Sequence, residues 1–299
     1  MGEVWLSVAG IYFFVLLGFM AKRLFRELEE RTLVTLSIYF LQPLLTFWGL
    51  SQDPITIDLL EAGLFYGAVT LISLGVGALF ARRLFHQGPD RSIATVAMLI
   101  GNTGNLGIPL GIALFGEASV LYTTLINLFN VVFVYTFGVY FYSRGQFDIR
   151  QSILNILKLP VIYLALLAVW FNLAGIEYGE AIDRTLTMGA HASMVLQLLI
   201  FGFYLCSVRL RQMHLKLTAT VIAGKFLLIP LLGLGLLQLW PLEPMLAAIV
   251  LVQLAMPLAV ANVNLASLYG CKPTAVTESV LISSLLFVGY LPLLLWVVG

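Results

Sequence analysis

Charged residues are scarce in this sequence. Of its 299 residues, 16 are Lys or Arg and 15 are Asp or Glu, so charged residues make up 10% of the chain and hydrophobic ones 61%. Soluble globular domains carry about 25% charged residues. A water-soluble chain this apolar would expose large aggregating patches, which excludes a soluble enzyme and a disordered chain. The net charge of +1 lacks the basic footprint of a nucleic-acid binder. The composition predicts a polytopic membrane protein.

Signatures of hydrolytic or metal chemistry are also absent. The sequence has no His-Glu-x-x-His motif and no Gly-x-Ser-x-Gly motif, and its long apolar stretches contain no Asp. His191 and Ser193 are two residues apart, whereas neighbours on a helix face are three or four residues apart. We therefore expect neither an enzyme nor a resident metal or other cofactor.

Ten apolar stretches are long enough to cross a bilayer, which takes about 20 residues. All Lys and Arg residues except Arg184 and Lys225 lie in the odd-numbered connections between these stretches. This is the positive-inside pattern, so the sequence predicts a multi-pass cell (inner or plasma) membrane protein with both termini extracytoplasmic. The predicted spans are 4–21, 32–50, 59–82, 92–115, 119–142, 153–174, 185–207, 217–240, 244–268 and 274–298.

The loop 143–152 divides the spans into two halves of five, 1–148 and 149–299. An odd number of spans inverts the second half relative to the first, and inverted repeats recur in secondary transporters. Gly-Ile-Pro-Leu around Pro109 in the fourth span corresponds to Ala-Met-Pro-Leu around Pro257 in the ninth. The predicted fold class is therefore all-α, with ten transmembrane helices in two inverted five-helix repeats.

The fourth span contains a run of poor helix formers, Ile-Gly-Asn-Thr-Gly-Asn-Leu-Gly-Ile-Pro, that ends at Pro109. One interpretation is a continuous helix whose small residues pack tightly against its neighbours. The other is a discontinuous helix that lines a cavity, because irregular backbone in a bilayer must be satisfied by protein or water. Asn102 lies about 15 Å into the span, near the midplane. This depth favours the discontinuous helix, with Asn102, Thr103 and Asn105 as candidate binding residues.

The ninth span runs in the opposite direction and carries Gln253, Pro257 and Asn262. Half-helices that begin after Pro109 and after Pro257 would direct positive amino-terminal ends to the midplane, and the halves before them negative carboxyl-terminal ends. The first pair suits an organic anion and the second suits a cation. The sequence thus predicts a binding site made largely of backbone.

Two ionisable residues lie inside predicted spans. Lys225, in the eighth span, either neutralises a substrate carboxylate or extends its head group to the membrane interface. Glu278, one turn into the tenth span, has a structural or interfacial role or, if protein buries it, binds a proton or a cation.

Four stretches resemble the auxin efflux carrier family, within the fold group that includes the sodium-dependent bile acid symporters. They are Pro-Leu-Leu-Thr-Phe at 43–47, Asn-Thr at 102–103 with Gly-Ile-Pro-Leu at 107–110, Phe-Gly-Glu at 115–117, and Gln253 with Met-Pro at 256–257. The resemblance covers the whole chain in span order, and the fourth-span and ninth-span motifs are specific.

This resemblance implies that helices 4 and 9 cross at their prolines. It implies a scaffold of helices 1, 2, 6 and 7, through which a homodimer can form, and a transport domain of helices 3–5 and 8–10. It also implies that a small organic anion binds beside the crossover and moves by an elevator-type mechanism. The residues carried over by position are Asn102, Pro109, Gln253 and Pro257, and Asn130 is similar to a polar position in plant members.

Several alternatives stay open. Na⁺ coupling would use oxygens from Asn102, Thr103, Gln253 and the broken-helix carbonyls; H⁺ coupling and a uniporter are also compatible with the sequence. A channel is a further alternative, because broken helices also build filters. Asn262 and Asn264 lie where plant members are apolar or Pro, so the substrate can be auxin-like, malate-like or malonate-like.

Overall fold

The computed structural model describes residues 2–51, 54–143, 157–207 and 214–298. These residues are helical and contain no strand, which confirms the all-α prediction. The helices are α1 (Gly2–Leu24), α2 (Glu30–Leu36), α3 (Gln42–Ser51), α4 (Ile57–Leu84), α5 (Gly88–Val96), α6 (Ile108–Phe115), α7 (Val120–Phe133), α8 (Val139–Tyr142), α9 (Pro160–Leu173), α10 (Glu180–Ser207), α11 (Leu215–Ala223), α12 (Ile229–Leu237), α13 (Pro244–Leu254), α14 (Ala261–Leu268) and α15 (Pro273–Val298).

Six stretches of the described residues are long and apolar enough to cross a membrane by length and composition. They are Thr32–Ser51, Leu59–Leu84, Glu117–Tyr142, Glu180–Cys206, Leu215–Leu237 and Pro273–Trp296. Each coincides with a predicted span, and shorter apolar helices fall within three others. The complete inverted repeat of ten helices stays a prediction. The predicted central loop beyond Ser143 and the start of the sixth predicted span lie outside the described residues.

Single π-helical turns occur within several of these helical stretches. Three of the turns end two residues before a proline: Ser37–Leu41 before Pro43, Thr103–Gly107 before Pro109, and Gly224–Leu228 before Pro230. A proline cannot donate to the carbonyl four residues back, and its ring clashes with that carbonyl. Widening the preceding turn relieves the clash without ending the helix. These prolines therefore mark local widening rather than breaks.

The chain divides into two compact units. Unit 1 comprises Met1–Leu60, Gly104–Leu128 and Leu157–Ser207, and unit 2 comprises Glu61–Thr103, Phe129–Ile156 and Val208–Gly299. Unit 1 includes the helices predicted as scaffold together with Gly104–Leu128, which the resemblance assigns to the transport domain. Which part moves stays a prediction.

Close backbone packing and an apolar core hold unit 1 together. A Cβ on Gly18 of α1 would collide with the backbone of Leu199 of α10, and a Cβ on Gly202 of α10 would collide with the backbone of Val15. An apolar cluster that includes Trp48 of α3 packs together buried residues of α9 and α10. Close backbone approach and this apolar cluster therefore both stabilise unit 1.

Candidate functional site, a helix crossover

Two predicted spans are interrupted at one place in unit 2. In the fourth span the break follows α5 and its short 3₁₀ extension, and in the ninth it separates α13 from α14. The N–H of Asn102 donates to the carbonyl of Pro257 (2.8 Å), and the N–H of Ala259 donates to the carbonyl of Ile100 (2.9 Å). The two unwound segments therefore pair in antiparallel sense. Both spans are discontinuous, as the sequence predicts.

The expected crossing at the prolines is correct for the ninth span and wrong for the fourth. Pro257 lies in the paired segment, whereas Pro109 is the second residue of α6. The break of the fourth span falls on Gly101 and Asn102 instead. The π-helical turn Thr103–Gly107 accommodates Pro109, so the amino-terminal end nearest the break is at Thr103 and not after Pro109.

Asn262 uses its side-chain amide to hold the crossover. Its Nδ2 lies within hydrogen-bonding distance of three carbonyl oxygens, those of Ala97 (3.3 Å), Ile100 (3.0 Å) and Ala259 (3.1 Å). Its Oδ1 accepts from the hydroxyl of Tyr142 (2.8 Å). Carbonyls at a helix end have no partner within the helix, and Asn262 satisfies them in an apolar interior. This predicted binding residue is therefore a positioning residue in the structure.

Two further side chains satisfy the unwound backbone. Asn130, in the part of α7 that belongs to unit 2, donates from Nδ2 to the carbonyl of Gly101 (2.8 Å) and to Oγ1 of Thr103 (3.0 Å). The hydroxyl of Ser283 of α15 accepts from the N–H of Leu258 (3.2 Å). Irregular backbone at membrane depth is tolerated only with such partners, so these contacts explain how the break persists.

The ammonium group of Lys225 lies at this crossover. The side chain is only 1% exposed, and a Cβ built on Gly101 would lie 2.8 Å from its Nζ. Any larger residue at position 101 would displace the ammonium. Within the part of the chain that the structure describes, Lys225 has no ion pair and no hydrogen bond.

Two buried amide atoms belong to residues of the crossover, one to Asn102 of the unwound segment and one to Asn130 of α7, whose Nδ2 donates to the carbonyl of Gly101. Asn102 Nδ2, a donor, and Asn130 Oδ1, an acceptor, have no hydrogen-bond partner among the described residues. A buried polar group left unpaired costs about 1–3 kcal/mol, and an unpaired buried charge costs several kcal/mol. The crossover therefore holds polar groups that a ligand can satisfy.

Several groups at the crossover favour an anion. They are the ammonium group of Lys225, when it is protonated, and the amino-terminal ends of the helical segments that begin at Thr103 and Ala261. The helices that end before the breaks contribute negative ends, which partly stabilise the ammonium. With no carboxylate of the described residues beside Lys225, the arrangement is suited to an anion.

Not every predicted site residue reaches the crossover. Gln253 does lie next to the break: it is fully buried in the last turn of α13, and its backbone carbonyl accepts from the N–H of Met256. The other three, Asn105, Pro109 and Glu278, do not contact the paired segments in the described hydrogen bonds. Asn105 and Pro109 belong to unit 1. Glu278 lies near the start of α15, where its Oε2 accepts from the backbone N–H of His214 (3.2 Å).

Sequence reasoning missed Tyr142 and Ser283. Both are fully buried in unit 2, and both hold parts of the crossover. A sequence signal for Ser283 is its place in a polar group of α15 with Ser279 and Ser284, inside an otherwise apolar span. Tyr142 has no comparable signal, because a tyrosine near a span end is also typical of the membrane interface.

A separate cavity of about 380 Å³ lies within unit 1. Its lining is mostly apolar and includes Pro109, with His191 and Glu117 as its ionisable residues. Nδ1 of His191 lies 2.8 Å from the carbonyl oxygen of Thr187, and its ring packs near Trp48. Pro109 therefore lines this cavity, whereas Pro257 belongs to the crossover.

Interrupted helices that pair within a helical membrane protein are an architecture of membrane transporters. The sequence profile of the family described as membrane transport protein matches residues 4–297. The chain belongs to this family, which confirms the resemblance to the auxin efflux carriers. It is also similar to an uncharacterized transporter of Methanocaldococcus jannaschii, with 23% identity over 282 residues, which cover 90% of this chain and 91% of that protein. It is thus a multi-pass membrane protein of a transporter family.

Proposed function

We propose that the chain is a secondary transporter that carries small organic anions, auxin-like or carboxylate, across the cell membrane by an elevator-type mechanism. The observation that carries the proposal is the buried ammonium of Lys225 at the crossover, without a carboxylate partner among the described residues. A buried charge of this kind persists when it serves a function, and its natural counterpart is a negatively charged ligand.

A carboxylate complements the groups at the crossover. One oxygen accepts a charge-assisted hydrogen bond from Lys225 Nζ, and such bonds are about twice as strong as neutral ones. The other accepts from Asn102 Nδ2, which has no partner among the described residues. The amino-terminal end at Thr103 adds further favourable potential. The proposed roles are charge neutralisation for Lys225 and orientation for Asn102.

Sodium coupling has less support at this place. The fixed charge of Lys225 repels a second cation at short range. One of the oxygens that the sequence offered for Na⁺ is already engaged within the protein, because Thr103 Oγ1 accepts from Asn130. An anion carrier that does not use Na⁺ at the crossover is therefore the better match.

An elevator mechanism is favoured over a channel because all the site residues belong to one compact unit, unit 2. The paired segments, Lys225, Asn130 and Asn262 all belong to this one compact unit. A site contained in one unit can move as a body together with its bound anion. A homodimer through the predicted scaffold helices and the orientation of the termini remain part of this proposal.

Uptake into proteoliposomes tests the proposed function. Purified protein is reconstituted and assayed with radiolabelled malonate, L-malate and indole-3-acetate, and with choline as a cationic control, in Na⁺ and in Na⁺-free buffer. We expect saturable flux of at least one carboxylate, stimulated by the same anion on the opposite side and independent of Na⁺. Absence of anion flux, or unsaturable current without counterflow, contradicts the proposal.

Lys225→Met is the decisive variant in this assay. Removing one partner of a buried ion pair costs about 3–5 kcal/mol, so we expect anion flux to fall at least ~100-fold. Lys216→Met is the matched control, because Lys216 lies on α11 with an exposed ammonium that donates to the carbonyl of Leu84. Equal flux in the two variants would show that Lys225 does not bind the anion.

A further inference from the structure

A second buried charge lies in unit 2, away from the crossover. Among the side chains that the structure describes, Lys225 and Glu278 are the charged residues buried from solvent, each 1% exposed. They do not form an ion pair with each other. The charge of Glu278 therefore needs an explanation of its own.

The surroundings of Glu278 supply few partners for a carboxylate. Its Oε2 accepts from the backbone N–H of His214 (3.2 Å) and lies 3.5 Å from His214 Nδ1. Its Oε1 has no hydrogen-bond partner among the described residues. Burying a carboxylate with so few donors is costly unless it is protonated or faces a cation.

The other ionisable groups around α15 are engaged elsewhere or absent. Of the helices packed against α15, α13 and α14 contain no charged or titratable residue. On α11, Lys216 donates to the carbonyl of Leu84 (2.7 Å). The turn before α15 carries Tyr269, Cys271 and Lys272, and Lys272 forms an ion pair with Asp90 (2.6 Å). His214 is thus the described titratable group that faces Glu278.

His214 connects this carboxylate to water. Its side chain is 39% exposed, whereas that of Glu278 is 1% exposed. His214 Nδ1 is buried, makes no hydrogen bond to a described residue and lies 3.5 Å from Oε2 of Glu278. A proton that binds the other ring nitrogen from solvent can leave from Nδ1 to Oε2 when these two atoms approach to hydrogen-bonding distance, after which the imidazole is neutral again. This geometry provides a path for a proton, and residues 214–298, which the structure describes, contain no group of His, Cys, Asp or Glu residues that could hold a metal ion.

Helix α15, which carries Glu278, and helix α11, which packs against it, both support the crossover. On α15, Ser283 accepts from the N–H of Leu258 in the paired segment, and Ser279 donates to Thr218 of α11 (3.2 Å). The π-helical turn that continues α11 carries Lys225. The protonation state of Glu278 thus bears on the two helices that hold the anion-binding groups.

We propose that Glu278 is the proton-binding site of this transporter and that one proton on Glu278 crosses with each anion, delivered through His214. The inference rests on the proposed anion transport. Charge balance supports it. With Lys225 protonated and Glu278 ionised, the buried charges that the structure describes in unit 2 cancel, and a bound anion leaves a net negative charge that one proton reduces by one. No electron transfer or other reactant is needed.

The test compares net uptake with exchange in proteoliposomes. The probe is malonate, replaced by L-malate or indole-3-acetate if one of these gives the larger flux in the panel above. For the unmodified protein we expect proton uptake linked to anion uptake. With the membrane potential held at zero by K⁺ and valinomycin, a gradient of one pH unit, acid on the side of the anion, should support about tenfold accumulation in a symport of one proton with one anion. Absence of anion-linked proton movement while exchange proceeds overturns the inference and leaves the proposed function intact.

Glu278→Gln separates coupling from transport. This variant keeps the shape and loses the ionisable group, so we expect anion exchange within about twofold of the unmodified rate and no accumulation in the pH gradient. Glu180→Gln, which alters an exposed residue of α10, should behave as the unmodified protein. Tenfold accumulation by Glu278→Gln overturns the inference. If the unmodified protein shows neither net uptake nor exchange of any anion in the panel, the proposed function is overturned as well.

His214→Gln tests the route of the proton. The backbone N–H that binds Glu278 remains, so we expect the same final accumulation ratio, reached severalfold more slowly. An unchanged rate shows that the imidazole is not the route.

Discussion

The two units differ in what they bury. Unit 1 buries apolar side chains and uncharged polar ones, and its α1 and α10 approach backbone to backbone at Gly18 and Gly202. Unit 2 buries Lys225 and Glu278 together with an unwound, hydrogen-bonded pair of segments. Both units bury some polar atoms that have no hydrogen-bond partner among the described residues, but the buried charged residues that the structure describes belong to unit 2. Under the proposed function, this difference in buried charge assigns anion binding to unit 2.

The largest expected effect on folding comes from breaking the packing of unit 1. In Gly18→Ala the added methyl group meets the backbone of Leu199, which cannot move aside as a side chain can. We expect a loss of about 3 kcal/mol in stability, measured as a lower thermal unfolding temperature and a lower yield of monodisperse protein.

Gly10→Ala on the same helix is the matched control. A Cβ at Gly10 meets nothing within 4 Å, so this change should be neutral or stabilising by up to about 1 kcal/mol through helix propensity. Equal effects of the two substitutions would show that the close approach of α1 and α10 does not stabilise unit 1.

Asn262→Leu tests whether hydrogen bonds of the crossover stabilise unit 2. The substitution is close in size but leaves the hydroxyl of Tyr142 and the carbonyl of Ile100 without this partner. We expect a loss of about 2 kcal/mol in stability and a fall in anion flux of at least ~10-fold, because the paired segment is no longer held. Asn264→Leu, which alters a more exposed residue of α14, should change both values less.

Asn102→Ala has the smallest expected effect and the most selective one. Because Asn102 Nδ2 has no protein partner among the described residues, its removal should leave the unfolding temperature unchanged. Anion affinity should fall about three- to tenfold, which corresponds to one hydrogen bond of about 1 kcal/mol. Titration of the purified protein with malonate measures this, and a lower unfolding temperature with unchanged affinity would assign Asn102 a structural role.

Much of the fold was predictable from the sequence, because the hydropathy of a segment determines whether it forms a helix that can span the lipid bilayer. A run of Gly and Asn residues in an apolar span predicted a discontinuous helix, since such residues are poor helix formers, and the structure has its break at Gly101 and Asn102. The prediction that the fourth span breaks at Pro109 was wrong, because the sequence does not reveal that the π-helical turn Thr103–Gly107 accommodates this proline within the helix.

The candidate site was predictable in composition but not in the roles of its residues. Depth in the membrane identified Lys225 and Asn262 as candidates, yet only the structure distinguishes a free ammonium group from an amide engaged with Tyr142 and Ile100. Partners so distant in the sequence cannot be deduced from periodicity, which reports one helix at a time. For the same reason the pairing of His214 with Glu278 was not foreseen.

Thermal unfolding of the purified protein with and without malonate, L-malate or indole-3-acetate shows whether the ammonium of Lys225 binds the anion. Without ligand, Lys225→Met should unfold at the same or a higher temperature than the unmodified protein, because an unpaired buried charge has been removed. An anion should raise the unfolding temperature of the unmodified protein and of Lys216→Met, but not that of Lys225→Met. If Lys225→Met is less stable and its unfolding temperature still rises with the anion, Lys225 has a structural role and does not bind the anion.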